Sequence, residues 1–202
     1  MTTRVDRQSS LVRRHQILDA TRNLITTKGM DAVTIDAIAY KVGVTEGAIY
    51  RHFSSKHQIL AHLIDEIEEN LLVSVNSVKV QEKSSLSSLE RVLEVHLSDV
   101  EDNRAISFII ITEAIAFDGI GLSKRVSLML TNYLEVIKKI LNDGKLDGSI
   151  RHDLDVVAAS TSFLGLVQSV STLWALENRE WSLDKQRSQM WDIYRRGIAA
   201  QV

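Results

Sequence analysis

A cluster of hydrogen-bond donors in the N-terminal third of the chain carries the clearest chemistry in this sequence. Tyr50, His52 and Lys56 each have a side chain that can donate a hydrogen bond to a phosphate oxygen. Gly47 and Ala48 come shortly before them. Small residues at the start of a helix let its backbone come close to the bases in the major groove of DNA. The combination predicts contact with a DNA duplex.

Two short helices must position these donors. Apolar residues recur at helical spacing just before them, at Ile35, Ile38, Ala39 and Val42. Thr34 precedes this run and can cap a helix through its hydroxyl, and Gly43 follows it, where a left-handed residue ends a helix at little steric cost. Thr45 offers a second N-cap before another short apolar face. The pattern therefore predicts a helix-turn-helix.

One family shares more of this segment than the general helix-turn-helix pattern. The matching residues are Thr34, Ile38, Ala39, Gly43, Val44, Gly47, Tyr50, His52, Phe53 and Lys56. Over about residues 10–60 the sequence resembles the DNA-binding domain of the tetracycline-repressor (TetR) family of bacterial transcriptional regulators. His57 departs from the family pattern, which usually has an acidic residue after the lysine. That departure bears on the capping of the next helix and leaves the groove-facing residues unchanged.

The predicted DNA interface has two parts. The residues expected to anchor phosphates are Thr34, Tyr50, His52 and Lys56. The residues expected to lie nearest the bases are Thr45, Glu46, Gly47, Ala48 and Arg51. One short recognition helix gives little affinity, whereas a dimer reads two half-sites roughly 34–36 Å apart. Double-stranded operator DNA is therefore the predicted partner of a homodimer.

The composition predicts an all-α fold of about nine helices. The 202 residues include no proline and only nine glycines, so helix breakers are scarce. We expect an N-terminal three-helix DNA-binding domain over residues 1–54 and a larger helical effector-binding and dimerisation domain over 55–202. The periodicity predicts a first helix from about Leu11 to Lys28 and a seventh from about Leu122 to Leu141. A polar, glycine-bearing loop is expected over residues 142–152.

The charge is distributed unevenly along the chain. Residues 1–62 hold nine Lys and Arg against five Asp and Glu, a net charge of +4, whereas the whole chain has a net charge of −2. A basic head on an acidic body is typical of a local DNA footprint. Ordinary variation of surface charge explains the same numbers equally well, so the motif decides between the two interpretations.

Several functions find no support in the sequence. The absence of cysteine excludes thiol catalysis and zinc–thiolate sites, and His96 and His152 have no partner at a ligand spacing. We therefore predict no metal, no cofactor and no enzymatic activity. The most apolar run, residues 105–117, is interrupted by Glu113 and is too short to span a bilayer. No membrane association is predicted, and the expected location is the cytoplasm.

The last two predicted helices are unusually apolar for surface helices. They lie at about residues 153–178 and 183–200, and this region holds all three tryptophans, Trp174, Trp181 and Trp191. Burial against a second copy of the chain explains this pattern, and simple packing onto the chain's own body is the alternative. The resemblance favours the first interpretation, because TetR-like regulators dimerise through their last two helices.

The C-terminal domain combines bulky apolar residues with a few polar ones, as ligand pockets do. TetR-like proteins enclose a small-molecule site between these helices, which implies a small and largely apolar effector here. The candidate lining residues are Phe108, Ile111, Thr112, Phe117, Met129, Tyr133, Phe163 and Gln168. Each of these residues taken alone is also explained as an ordinary core residue.

Together these features predict a ligand-responsive, DNA-binding transcriptional regulator, a repressor released from its operator by a small molecule. The alternative is a DNA-binding structural or interaction protein without a small-molecule effector. The sequence leaves open the identity of the effector, the operator sequence and the regulated genes.

Overall fold

The computed structural model describes residues 3–79, 82–116, 121–177 and 180–200, and these ranges are almost entirely helical. Within them the helices are α1 (Thr3–Lys28), α2 (Ile35–Val42), α3 (Glu46–Tyr50), α4 (Lys56–Lys79), α5 (Ser85–Asp102), α6 (Ile106–Ala116), α7 (Leu122–Asp147), α8 (Val156–Leu176) and α9 (Asp184–Ile198). A 3₁₀-helical turn, Met30–Ala32, follows α1. An isolated antiparallel bridge joins Ile150 to Ala199. The predicted all-α class is confirmed.

The chain divides into two compact units. The first consists of Met1–Ile67 and Ile109–Val126, and the second of Glu68–Phe108 and Ser127–Val202. Each unit therefore combines two segments that are distant in sequence, whereas the sequence analysis predicted a single domain boundary after residue 54. The assignment of separate functions to residues 1–54 and 55–202 stays a prediction.

The first unit contains the predicted helix-turn-helix, with α1 packed against α2. Its core is formed by apolar residues of α1 to α4 and of the segments between them, among them Ile17, Ile25, Ile38, Ile49, Phe53 and Leu63, each at most 1% exposed. Phe53 is the largest of these side chains and lies beyond the end of α3. The short helices are therefore held by a shared core.

The second unit has a core built by α5, α7, α8 and α9. Its buried residues include Leu89, Leu93, Leu97, Tyr133, Ile137, Phe163, Val167, Trp174 and Trp191. Trp174 Nε1 donates a hydrogen bond to the Trp181 carbonyl oxygen (2.5 Å), and Trp181 is half-buried. Trp174 and Trp191 are thus buried within their own chain, as the alternative interpretation of the tryptophans stated.

Two helix boundaries differ from the sequence prediction. Helix α1 begins at Thr3 rather than near Leu11. Helix α7 continues to Asp147, so the prediction of a loop from residue 142 was wrong for its first half. The glycine that suggested a loop, Gly144, lies inside the helix, where Ile150 packs over it. A glycine at position 144 is thus explained by close packing against Ile150 and does not require a turn.

Candidate nucleic-acid interface

The helix-turn-helix is set by three local devices, each visible in the sequence. The Thr34 hydroxyl accepts a hydrogen bond from the Ala37 amide (3.0 Å) and caps α2. Gly43 ends α2 with φ of 75°, in the left-handed region. The Thr45 hydroxyl accepts from the Ala48 amide (3.3 Å) and caps α3. These observations confirm the two helices, the turn and both caps.

The recognition helix α3 is anchored on one side. Ile49 and Phe53 are 0% and 1% exposed, so both side chains lie in the core of the first unit. A helix of five residues is too short to be stable alone. Its orientation therefore comes from the burial of these two residues beneath it.

The other side of α3 is open to solvent. Most of the predicted DNA-contacting residues are exposed, namely Thr34, Thr45, Glu46, Gly47, Tyr50 and Arg51. Ala48, His52 and Lys56 are half-buried. None of the nine is enclosed in the core, and their contact with DNA stays a prediction.

The start of α4 places Lys56 at the edge of this surface. The Ser55 hydroxyl accepts a hydrogen bond from the Gln58 amide (3.1 Å), which caps the helix. The Gln58 side chain in turn accepts from the Ser54 amide (2.6 Å), one residue earlier than in a regular capping box. Lys56 is the first residue of α4. Its positive charge and the free backbone amides at the helix N-terminus both favour the binding of an anion there.

His52 lies in a cationic environment. Burial lowers its pKa below the ordinary 6.5, and the positive charges of Arg13, Arg14 and Arg51 lower it further. The same charges attract a phosphate group. A phosphate beside His52 would offset the repulsion and favour the imidazolium form, which is the stronger donor.

Phe53 is packed between two charged or polar side chains from other helices. The Arg14 guanidinium carbon lies 4.8 Å from the centroid of the Phe53 ring, and the His62 ring meets Phe53 edge-on at 5.5 Å. Arg14 Nη2 donates to His62 Nε2 (2.9 Å). Helices α1 and α4 thus fix the residue that anchors the end of the recognition segment.

The sequence prediction missed two features of the head. Tyr40 is 88% exposed, the most exposed of the head's large apolar side chains that the structure describes. The helical periodicity contains this signal, since Tyr40 lies opposite Ile38 and Val42. The second missed feature is the proximity of Arg13 to His52. These two residues are 39 positions apart in the sequence, so the sequence alone does not show that they are close.

The predicted effector-lining residues are spread over both units. Ile111 and Thr112 belong to the first, and the Thr112 side chain is exposed. Phe108, Met129, Tyr133, Phe163 and Gln168 belong to the second. Phe117 lies outside the described residues.

The buried members of this set are well packed. Tyr133 and Phe163 are 1% and 0% exposed, and both belong to the core of the second unit. The Tyr133 hydroxyl lies 2.9 Å from His96 Nδ1, and burial lowers the pKa of His96 to about 4, so its ring is neutral. Among the described residues, no group of three or more His, Asp or Glu side chains is arranged to hold a metal ion.

An anchored helix-turn-helix with an exposed recognition face, followed by a helical body, defines a DNA-binding transcriptional regulator. The model for bacterial regulatory proteins of the tetR family matches residues 17–63. A second model, the C-terminal region of YsiA-like proteins, matches residues 56–197. The chain belongs to the TetR family of bacterial transcriptional regulators, as the resemblance predicted.

Known relatives cover nearly the whole chain. It is 30% identical over 184 residues to the nucleoid occlusion factor SlmA of Alteromonas mediterranea, a match that covers 86% of this chain and 94% of that protein. The fold is similar to that of the fatty acid degradation regulator FadR from Bacillus halodurans, with a TM-score of 0.83, 21% identity and coverage of 93% and 97%. FadR from Bacillus subtilis in complex with stearoyl-CoA has a TM-score of 0.80, 24% identity and coverage of 91% and 98%.

Proposed function

We propose that this TetR-family regulator acts in the cytoplasm as a homodimeric repressor, without catalytic activity, whose operator affinity changes on binding a small, largely apolar effector. The observation that carries the DNA-binding part is the contrast across α3. Ile49 is fully buried, whereas Glu46, Gly47 and Arg51 on the same short segment are exposed. Such a helix presents its surface to the major groove without disturbing its own anchor.

The roles of individual residues are testable by salt dependence. Lys56→Gln removes one phosphate contact, so the slope of log K against log salt concentration should fall by about 1. Tyr50→Phe removes a donor without changing charge, so affinity should fall while the slope stays constant. Fluorescence anisotropy on a duplex selected from a random pool measures both quantities. Wild-type affinity and slope in both variants would refute these assignments.

Dimerisation is supported by apolar residues that α8 and α9 leave exposed. Val157, Leu173 and Leu176 on α8 are 61%, 55% and 75% exposed, and Ile193 on α9 is 73% exposed. By length and composition alone α8 could cross a membrane, and only 33% of that apolar window is buried. A partner subunit covering exposed apolar residues of α8 and α9 accounts for the same composition in a regulator that binds DNA.

The oligomeric state can be measured with a matched pair of variants. Leu176→Glu introduces a charge into the proposed interface, so light scattering should show dissociation to monomers. Leu146→Glu changes a leucine on α7 that is even more exposed (87%) and should leave the dimer intact. Identical masses for both variants would exclude the α8–α9 face as the interface.

The effector is supported by the fold shared with FadR from Bacillus subtilis, which was solved with stearoyl-CoA. In the present structure Tyr133 and Phe163 fill the second unit's core, so an effector at this place must displace them. A thermal-shift titration with stearoyl-CoA and other acyl-CoA thioesters tests this class of ligand. The proposal expects a rise in Tm and release of bound DNA by the same compound.

A second candidate function is DNA binding without an effector. It is favoured by the 30% identity to a nucleoid occlusion factor and by the filled core of the second unit. A compound that both stabilises the protein and releases DNA supports the repressor. DNA binding that no compound of a broad metabolite screen changes supports the second candidate.

A further inference from the structure

We infer that the N-terminal part of α1 belongs to the DNA-contacting surface, where Arg13 binds a backbone phosphate beside His52. This inference rests on the proposed function, because it assumes that α3 enters the major groove. It adds α1 to an interface that the sequence motif confines to residues 34–56.

The first observation is the contact between α1 and the segment that follows α3. Ser10 Oγ lies 3.4 Å from His52 Nδ1. His52 is two residues beyond the last residue of α3, Tyr50. Any duplex close enough for Tyr50 and His52 to reach its phosphates is therefore close to this part of α1 as well.

The second observation is that the two neighbouring arginines of α1 have different surroundings. Arg14 is engaged, since its guanidinium stacks on Phe53 and donates to His62. Consecutive residues of a helix point about 100° apart, so Arg13 points away from that cluster. Arg14 therefore stabilises the segment after α3 through contacts inside the protein, whereas Arg13 lies at the edge of that segment.

The third observation is that Arg13 and Arg51 have no carboxylate partner within the described part of the chain. Arg22, on the same helix, pairs with Asp19 (2.8 Å) and Glu66 (3.1 Å). Over the described ranges neither Arg13 nor Arg51 has such an ion pair with a carboxylate. Two unpaired guanidinium groups near one half-buried histidine form a site that attracts an anion of the duplex backbone.

The electrostatics around His52 agree with this geometry. Arg13 and Arg14 from α1 and Arg51 from the segment of His52 all act on its ring, after the larger effect of burial. A phosphate bound by Arg13 offsets part of this positive charge and so favours the protonated His52 ring. DNA binding should therefore be accompanied by proton uptake at His52, with affinity increasing as the pH falls towards the pKa of His52 in the complex.

The test compares two substitutions that each remove one positive charge from α1. Arg13→Gln removes the proposed phosphate ligand, and Lys28→Gln removes an equal charge at the exposed far end of the helix. On a duplex selected from a random pool, Arg13→Gln should lower the salt slope by about 0.9 for each phosphate that the variant no longer neutralises. Arg13→Lys should keep most of that slope, and Lys28→Gln should keep all of it. Thermal denaturation checks that each variant is folded.

A pH series separates this role from a structural one. Wild-type affinity should rise between about pH 7.5 and 5.5, and His52→Gln should reduce this rise. A salt slope for Arg13→Gln equal to that of Lys28→Gln would overturn the inference. If Lys56→Gln still weakens binding in that experiment, the proposed function stands without it. A wild-type protein that binds no duplex would overturn both.

Discussion

Gly47→Ala adds a single methyl group to α3, which should increase the stability of the fold and weaken DNA binding. Gly47 lies within α3, and a Cβ built on it would have Thr45 Oγ1, 3.9 Å away, as its nearest neighbour. That distance is an ordinary van der Waals contact, so the fold offers no resistance to alanine. Because alanine is the better helix former, the free energy of unfolding should increase by up to about 1 kcal/mol. In a chain of this size the Tm would rise by up to about 4 °C.

The same methyl group should weaken DNA binding. If the α3 backbone approaches the duplex at the proposed position, the new Cβ is added to a packed interface. Overpacking of this kind costs about 1–3 kcal/mol in protein interiors, and interfaces are packed to a similar density. The expected loss of affinity is therefore about 5- to 150-fold. The salt slope should stay unchanged, because the substitution alters no charge.

Two measurements on the same preparation check this prediction. Thermal denaturation reports the change in Tm, and an anisotropy titration on a selected duplex reports affinity and salt slope. A raised Tm together with wild-type affinity would refute the reasoning, since it would mean that the Gly47 backbone does not approach DNA. A lowered Tm would contradict the open space around Gly47.

Three further substitutions, and a fourth that serves as a control, test packing and hydrogen bonding in the second unit by thermal or chemical denaturation. Gly144→Ala should destabilise by about 1–2 kcal/mol, because its Cβ would overlap Ile150 Cδ1 and overpacking outweighs the gain in helix propensity; a more stable variant would contradict this. Asp155→Ala removes hydrogen bonds to two amides at the start of α8 (2.9 and 3.0 Å) and should cost about 1 kcal/mol, whereas Asp153→Ala removes a surface ion pair and should change little. Asp147→Asn tests the low pKa of the Asp147 carboxyl group. Burial raises this pKa, but hydrogen bonds from Ser149 and Ser85 outweigh burial and lower the pKa from 3.8 to about 2. The stability from Asp147 is therefore present above about pH 3.8 and lost as the pH falls through about 2, so wild type and variant should differ at neutral pH and converge in acid.

The helix-turn-helix was predictable because its determinants are local. Thr34, Gly43 and Thr45 act on residues within a few positions of themselves, and a cap or a left-handed glycine has the same effect in any fold. The exposed face of α3 followed from periodicity alone. Residue type and exposure on that face therefore agree with the prediction made from the sequence.

The end of α7 was not predictable for the opposite reason. Gly144, Asp147 and Gly148 suggest a loop when only neighbours in sequence are considered. In the structure Gly144 makes room for Ile150, and Asp147 accepts a hydrogen bond from the Ser85 amide (2.8 Å), 62 positions away. Tertiary contacts of this kind override local propensity, and a single sequence contains no record of them.

The effector-lining residues show a second limit. Periodicity indicates that Tyr133 and Phe163 point inward, and both are buried. It does not distinguish a residue that lines a cavity from one that fills it, because the two have the same pattern of neighbours in sequence. The hydroxyl of Tyr133 already has a partner in His96, which is a property of the folded core alone.

The shortness of α3 decides how the recognition surface is held. A five-residue helix makes too few internal hydrogen bonds to fix its own direction, so Ile49 and Phe53 must do so through the core. Phe53 is in turn held by Arg14 from α1 and His62 from α4. Any change in the packing of α1 against α4 therefore changes the position of the residues that follow α3. The DNA-contacting surface is consequently a property of the packed head as a whole, and a substitution at Arg14 should alter DNA binding even though its side chain is already engaged within the protein.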